Sequence, residues 1–312
     1  MPLTLKQLDA SNAYWQICMD EESSRLLTFN TPFGRYRFKR LPYGIHSASE
    51  LCQAQISQIL EGLPGTLNSQ DDIIIWAESK EELIDRTISV LQSVRQAGLK
   101  LNRDKCVFEV QETTFLGHKL SKNGIEADPR KIEAIVNMPP PKDKKDLQRF
   151  LGMVTNLGKF ITNLSDLTAP LRSLLEKDAI WSYTPQHDKA VKLLKNVVTS
   201  SPVLKFYNPD LPTRLSADAS SYGLGALLEQ QHQLEWHPVA YASRSLTSAE
   251  RNYCQLEKET LSIVFGCEKF KEYLHGRDFE VHNDHQPLKS IFTKPLNKSP
   301  PRIQRFLLRL QQ

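Results

Sequence analysis

The stretch Asn68-Ser69-Gln70-Asp71-Asp72-Ile73-Ile74-Ile75-Trp76 sets two adjacent carboxylates against an apolar run. Like charges side by side at the mouth of a buried strand need a positive partner. A divalent cation is one that several carboxylates can share. A third acid, Asp9, ends the strand-like segment Leu5-Lys6-Gln7-Leu8-Asp9. Carboxylates converging from separate strands can hold two cations about 3.5–4 Å apart, one to activate an attacking oxygen and one to stabilise the leaving oxygen, as nucleotidyl transfer requires. Hard oxygen ligands suit Mg2+ (Mn2+ is a possible substitute). An isolated Asp-Asp pair also reads as a solvated acidic turn.

A second acidic set lies downstream. Asp218 closes the strand-like stretch 211–218, and Asp284 closes 279–284. Glu259 falls in a long helical stretch, where Leu256, Glu259 and Ile263 share one face. A carboxylate on an apolar face must be partnered or metal-bound, because burying a bare charge is costly. Glu257, two residues earlier, is the alternative member of the set. An amphipathic helix with a rim acid is the plainer reading. No GxSxG elbow and no phosphate-cradling loop is present, so triad hydrolase and P-loop chemistry have no support.

The positioning elements follow from periodicity and punctuation. Pro32-Phe33-Gly34 marks a turn between strands, the second over 33–38. The pattern predicts a helix over 46–61 with Ser47 as N-cap and Glu50 three residues on. It predicts a buried strand over 73–77, a helix from Ser79 to about 97 stopped by Gly98, and strands near 105–110 and 113–120. Pro139-Pro140-Pro141 is the clearest linker, with helices over 143–162 and on to about 199. Strands follow near 213–217, 223–229, 238–243 and 278–283, a long helix over 247–274, and a last helix over 301–311. Of the 312 residues 40% are hydrophobic and 24% charged, a soluble globular composition. No apolar run is long enough to span a membrane, and the start lacks a signal peptide's apolar core. Five dispersed cysteines without CxxC spacing argue for reduced thiols in an intracellular protein. Net charge is only +4, but Lys289, Lys294, Lys298, Arg302, Arg305 and Arg309 crowd the end without an acid, a solvated tail or a phosphate-binding one.

In order, TPFGRYRFKRLPYG (31–44), DDIIIWA (71–77), AGLKLNRDKC and FLGHKLSKNGI within 97–125, PPPKDKKDLQRFLGM (139–153), SADASSYGLGALL (216–228), HPVAYASRSLTSAERNY (237–253), EKETLSIV (257–264) and NDHQPLKSI (283–291) resemble the reverse transcriptase and RNase H region of a gypsy-type LTR-retrotransposon Pol polyprotein. The resemblance covers nearly the whole chain. It implies an α+β palm and thumb of a right-hand polymerase with the fingers largely absent, followed by an α/β RNase H-like domain. The implied boundaries are 1–138 for the palm, 139–200 for the thumb or connection, and 201–312 for the RNase H-like domain. The implied activities are RNA-directed DNA polymerisation and cleavage of RNA in RNA/DNA hybrids, with Mg2+ as cofactor and a primer–template and deoxynucleoside triphosphates as partners. A cytoplasmic particle is the compartment it implies.

Residue by residue, Asp9, Asp71 and Asp72 match the palm's metal-binding acids. Tyr14 matches the aromatic under the incoming sugar, Tyr43 the position flanking the nucleotide, and Gln53 a residue near the template. Phe115, Leu116, Gly117 and His118 resemble the primer grip. Lys142, Lys144, Lys145 and Arg149 suit thumb contacts to the duplex backbone. Asp218, Glu259 and Asp284 match the RNase H acids. The chain departs from the family where the usual Tyr-x-Asp-Asp tip, preceded by apolar residues, becomes Asn68-Ser69-Gln70-Asp71-Asp72. It departs again where Pro and Phe become Ser49 and Cys52. A fingers segment ahead of Asp9 and a fourth RNase H acid after Gln312 are expected of the family and lie outside this sequence, as do protease and integrase segments. A non-catalytic nucleic-acid-binding remnant and a decayed reading frame are the alternatives to an active enzyme.

Overall fold

The computed structural model describes residues 4–293 and 296–311, so Lys294 lies outside the described residues. It divides between Lys122 and Asn123 into two compact units. No helix among the described residues is long and apolar enough to cross a membrane.

In the first unit, β1 (Thr4–Asp9) leads into α1 (Ala13–Gln16), α2 (Glu21–Leu26), the hairpin β2 (Thr28–Thr31) and β3 (Gly34–Arg37), then α3 (Ala48–Ile59). The hairpin β4 (Thr66–Ser69) and β5 (Asp72–Ala77), α4 (Lys80–Gln96), β6 (Val107–Val110), β7 (Glu112–Phe115) and β8 (His118–Ser121) complete it. Four strands form one sheet in the order β4-β5-β1-β6. The continuous isoleucine run is buried on both faces, as such runs predict. Ile73 and Ile75 pack with Cys52, Ile56, Leu83 and Val90 of α3 and α4. Ile74 faces the other way, with Leu5 and Phe115. Leu26, Phe29, Phe33 and Tyr36, around β2–β3, are exposed.

In the second unit, β9 (Gly124–Ala127) precedes four helices, α5 (Pro129–Val136), α6 (Lys144–Asn156), α7 (Leu164–Ser173) and α8 (Pro185–Thr199). A sheet unit follows: β10 (Thr213–Ala219), β11 (Gly223–His232), β12 (Glu235–Ser245), α9 (Ser248–Arg251), α10 (Gln255–Lys269), α11 (Lys271–Leu274), β13 (Glu280–His282), α12 (Pro287–Phe292) and α13 (Pro301–Arg309). The sheet order is β12-β11-β10-β13, with β13 parallel to β10 and the other pairs antiparallel. Leu147, Phe150, Val154, Leu171, Leu194 and Val198 fill the helical core.

The start of α7 docks on β11 and β12. Ser165 N donates to Ser243 Oγ at 3.0 Å, and the two hydroxyls are 2.6 Å apart. A Cβ at Gly223 would stand 2.0 Å from Ser165 Oγ and 3.0 Å from the Arg244 carbonyl. Gly223→Ala is therefore expected to cost about 1–3 kcal/mol through overpacking. A urea midpoint equal to wild type would mean that this contact is not close-packed in solution.

Four expectations are corrected. The single strand expected over 113–120 is the hairpin β7–β8, because Leu116 and Gly117 both take positive φ (51° and 71°), the conformation of a two-residue primed turn. The single helix expected over 247–274 is three, interrupted where Cys254 is extended and where Phe270 leaves helical geometry. Thr247 and Cys254 each start a new capping box, with Glu250 and Glu257. Ser47 precedes α3 as expected, but its backbone is already helical and its side chain caps nothing. The basic end is no free tail. Arg302 forms two 2.8 Å bonds to Glu257, and Arg309 pairs with Glu268 at 2.7–2.8 Å, tying α13 to α10.

Candidate functional site

The first acidic set is positioned by β1 and the β4–β5 hairpin. Asp9 stands directly opposite Asp72 in the antiparallel register, so the two side chains share a sheet face. That face also carries Leu5, Ile74 and Phe115, so the β7–β8 hairpin packs on the side of the acids. Asp9 is buried, and its carboxylate accepts from Lys105 Nζ at 3.3 Å. Asp72 accepts from Gln7 Nε2 at 3.2 Å, and Gln7 Oε1 in turn accepts from Thr113 at 2.9 Å. Burial pushes the Asp72 carboxyl above its ordinary range. The Gln7 bond opposes this, and Asp71 and Asp9 add to it. The neighbouring positive charge is thus Lys105, and the three acids do not gather into one tight cluster among the described residues.

Around this set, Tyr14 and Tyr43 are ring neighbours at 4.8 Å, and the Tyr14 hydroxyl lies 2.9 Å from Ser49 Oγ. Gln53 serves the tip itself. Its Oε1 accepts from Gln70 N at 2.6 Å, and its Nε2 donates to the Asn68 carbonyl and to Ser57 Oγ at 3.2 Å each. Ser57 donates to the buried Asn68 Oδ1 at 3.0 Å. A polar seam thus seats β4 on α3. Gln70, at φ 52°, takes the left-handed position of the turn. In the β7–β8 hairpin Phe115 is buried and Leu116 is the exposed tip.

The second acidic set does converge. Oxygen atoms of Asp218, Glu259 and Asp284 all lie within 4.8 Å of one another. Asp218 sits near the end of β10, and Asp284 just beyond its parallel neighbour β13. Glu259 comes up from α10, which packs so closely that a Cβ at Gly266 would be 2.9 Å from Leu215 Cδ1. Asp218 and Asp284 are exposed and Glu259 is buried. Glu259 accepts from Asn283 Nδ2 at 2.9 Å and from Gln255 Nε2 at 2.5 Å. Burial raises its carboxyl above the usual range. The two amide bonds oppose the rise, and Asp218 and Asp284 add to it. Glu257, the alternative acid, is held by Arg302 and by the Cys254 N–H. A cleft of about 770 Å³ opens beside the cluster, lined by Asp218, Asp284, Ser216, Tyr241 and the α7 approach residues Thr162 and Asn163. Three oxygen ligands converging from separate elements, one of them buried, fit a hard divalent cation.

Of the thumb cations, Lys142, Lys145 and Arg149 are exposed, while Lys144 donates to the Glu176 carbonyl at 3.1 Å. Arg149 also pairs with Asp146 at 3.1 Å. Sequence reasoning missed Gln7, Lys105, Ser57, Gln255 and Asn283. The i, i+4 spacing of Gln255 and Glu259 was a usable signal; the others meet only through the fold.

An antiparallel palm sheet with paired acids, a helical segment, and a sheet with a parallel strand closing three carboxylates define a reverse transcriptase with an RNase H-like domain. Residues 3–120 match the family model for reverse transcriptase (RNA-dependent DNA polymerase), and residues 183–281 match that for the RNase H-like domain found in reverse transcriptase. The chain belongs to the reverse transcriptase and RNase H region of the retrotransposon Pol polyproteins. It is 35% identical over 311 residues to the retrovirus-related Pol polyprotein from transposon 297 of Drosophila melanogaster, covering 98% of this chain and 28% of that protein. It is 33% identical over 309 residues to the Tf2-3 polyprotein of Schizosaccharomyces pombe, covering 96% of this chain and 23% of that one. The chain thus spans less than a third of the length of these curated relatives. The fold is shared with a foamy viral protease-reverse transcriptase solved with an RNA/DNA hybrid, at a TM-score of 0.86 and 23% identity over 99% of this chain and 43% of that one. The dsDNA complex gives a TM-score of 0.85 at 22% identity, over 99% of this chain and 65% of that one.

Proposed function

We propose that the chain cleaves the RNA strand of an RNA/DNA hybrid at Asp218, Glu259 and Asp284, using Mg2+ or Mn2+. The observation that carries this reading is the convergence of the three carboxylates within 4.8 Å beside an open cleft. The relatives' names and the hybrid in the foamy viral complex support it. When bound, the cation supplies charge stabilisation for the displaced oxygen and acidifies the attacking water. The chain's residues do the rest. Glu259, fixed and buried, is the anchor, and Asp218 and Asp284 present oxygens at the cleft. Ser216, Tyr241 and Asn163 offer polar contacts to a sugar–phosphate strand lying in it.

By the same reading the palm would extend a primer on its template from deoxynucleoside triphosphates. Asp9, Asp71 and Asp72 would bind the cations, Lys105 would yield Asp9 to them, and Tyr14 and Tyr43 would face the incoming nucleotide. Gln53 would act through the tip, and Phe115, Leu116, Gly117 and His118 would border the primer.

A second reading, binding without turnover, is favoured by the exposed Lys142, Lys145 and Arg149. Such binding would weaken steeply with salt and show little sequence preference.

The test is cleavage of a labelled RNA/DNA hybrid by the purified chain in Mg2+, Mn2+ or EDTA, beside Asp218→Asn. Metal-dependent cleavage that Asp218→Asn abolishes is expected. A folded chain that binds hybrid salt-sensitively without cutting it would overturn the first reading in favour of the second.

A further inference from the structure

The two amides on Glu259 are held from more than one side. Gln255 Nε2 donates both to Glu259 and to the Ala219 carbonyl, at 2.5 and 3.1 Å. Asn283 Nδ2 donates both to Glu259 and to the Ala217 carbonyl, at 2.9 and 2.8 Å. Asn283 Oδ1 accepts from His285 N at 2.8 Å, which fixes the amide with its nitrogen toward Glu259. Ala217 and Ala219 flank Asp218, and Asn283 precedes Asp284. The clamp therefore ties the three acids to one another through neutral groups.

Resting on the reading above, we infer that Gln255 and Asn283 are positioning residues that hold Glu259 in cation-binding geometry without neutralising it. An ionised carboxylate has about four acceptor sites. Two amide donors leave capacity on each oxygen. Unheld, a carboxylate pressed toward two others swings away to relieve repulsion, and the ligand spacing widens. A Lys or Arg in the same place would also hold it, but would occupy the charge that a cation needs. The palm offers the contrast, where Lys105 lies on Asp9. Gln255 itself is exposed at the start of α10, so its replacement leaves the core untouched.

The experiment is Mn2+ binding to the full chain without nucleic acid, followed by the electron paramagnetic resonance of free Mn2+. The signal of interest is the binding that Asp218→Asn removes, which separates this site from the palm. Gln255→Met, which keeps length and loses the donor, is expected to weaken that binding by about 10-fold or more, the usual effect of losing a partner that orients a ligand. Asn283→Leu should do the same. Gln255→Lys keeps an N–H donor and is expected to bind Mn2+ more weakly still. Urea midpoints of the variants control for folding.

Wild-type affinity in both Gln255→Met and Asn283→Leu would overturn the inference and leave the proposed site standing. Wild-type affinity in Gln255→Lys would show that any donor suffices and overturn its charge-preserving part. No Mn2+ binding sensitive to Asp218→Asn in the wild-type chain would overturn the proposed site and the inference together.

Discussion

Glu259→Met is expected to lower hybrid cleavage by about 10³-fold, the scale of several kcal/mol of lost transition-state charge stabilisation. At pH 7 without metal it is also expected to stabilise the chain by about 1 kcal/mol, as relief of a strained functional site commonly does. The two signs differ because the residue's burial and charge suit a cation rather than the empty fold. Methionine fills the same unbranched volume. The amides of Gln255 and Asn283 each keep one acceptor, the carbonyls of Ala219 and Ala217, and each loses the acceptor of its second N–H, which limits the gain. Burial, with help from Asp218 and Asp284 and against the amide bonds, raises the Glu259 carboxyl above 4.5. Its stability contribution is therefore complete below the unfolded value of 4.5 and is lost as pH rises through the higher folded value. The advantage of the variant should shrink as pH falls toward about 4. Urea unfolding in EDTA at the two pH values measures this. A variant less stable than wild type at pH 7 would mean that the carboxylate is well satisfied without a cation.

Glu250→Gln is expected to cost about 2 kcal/mol at pH 7. Arg244 donates twice to Glu250, at 2.8 and 2.9 Å, and the Thr247 N–H adds a bond at 2.8 Å. The Arg244 bonds, with smaller help from Thr247 and against burial, lower the Glu250 pKa to about 2. A shift from 4.5 to about 2 sets a ceiling near ~3 kcal/mol, which the part-exposed Arg244 reduces. This group's folded pKa lies below its unfolded one. Its contribution is present above pH 4.5 and is lost as pH falls toward 2, so the gap should drop to less than about half at pH 3. A gap unchanged between pH 7 and pH 3 would locate the effect of the variant in packing.

Much of this fold was legible because local signals agreed with it. The isoleucine run after Asp72, bounded by a turn, could only be a buried strand. Ser79 caps α4 as its sequence suggests, its Oγ accepting from Glu82 N at 3.1 Å. Turns that depend on an unusual conformation of an ordinary residue were hidden. Leu116 at φ 51° breaks a stretch whose alternation reads as one strand. The interruptions at Cys254 and Phe270 were masked by apolar periodicity running through them. Within the candidate site the acids stood out, since Asp218, Glu259 and Asp284 each end or line a periodic element. Their partners did not. Nothing in a linear reading joins Gln7 to Asp72, or Asn283 to Glu259, because those contacts span 65 and 24 residues.

The polar seam between β4 and α3 also constrains mutational history. Asn68 is buried and shares bonds with Ser57 and Gln53 of α3. The two sides of the seam are not equal. Replacing Ser57 alone would take the donor from the buried Asn68 Oδ1, at a cost of about 1–3 kcal/mol. An apolar residue at 68 alone would leave the Ser57 hydroxyl to solvent, because Ser57 is exposed. The order of change therefore matters: a lineage leaves the polar seat under the Asp71-Asp72 tip at least cost through position 68 first, and enters it at least cost through position 57 first.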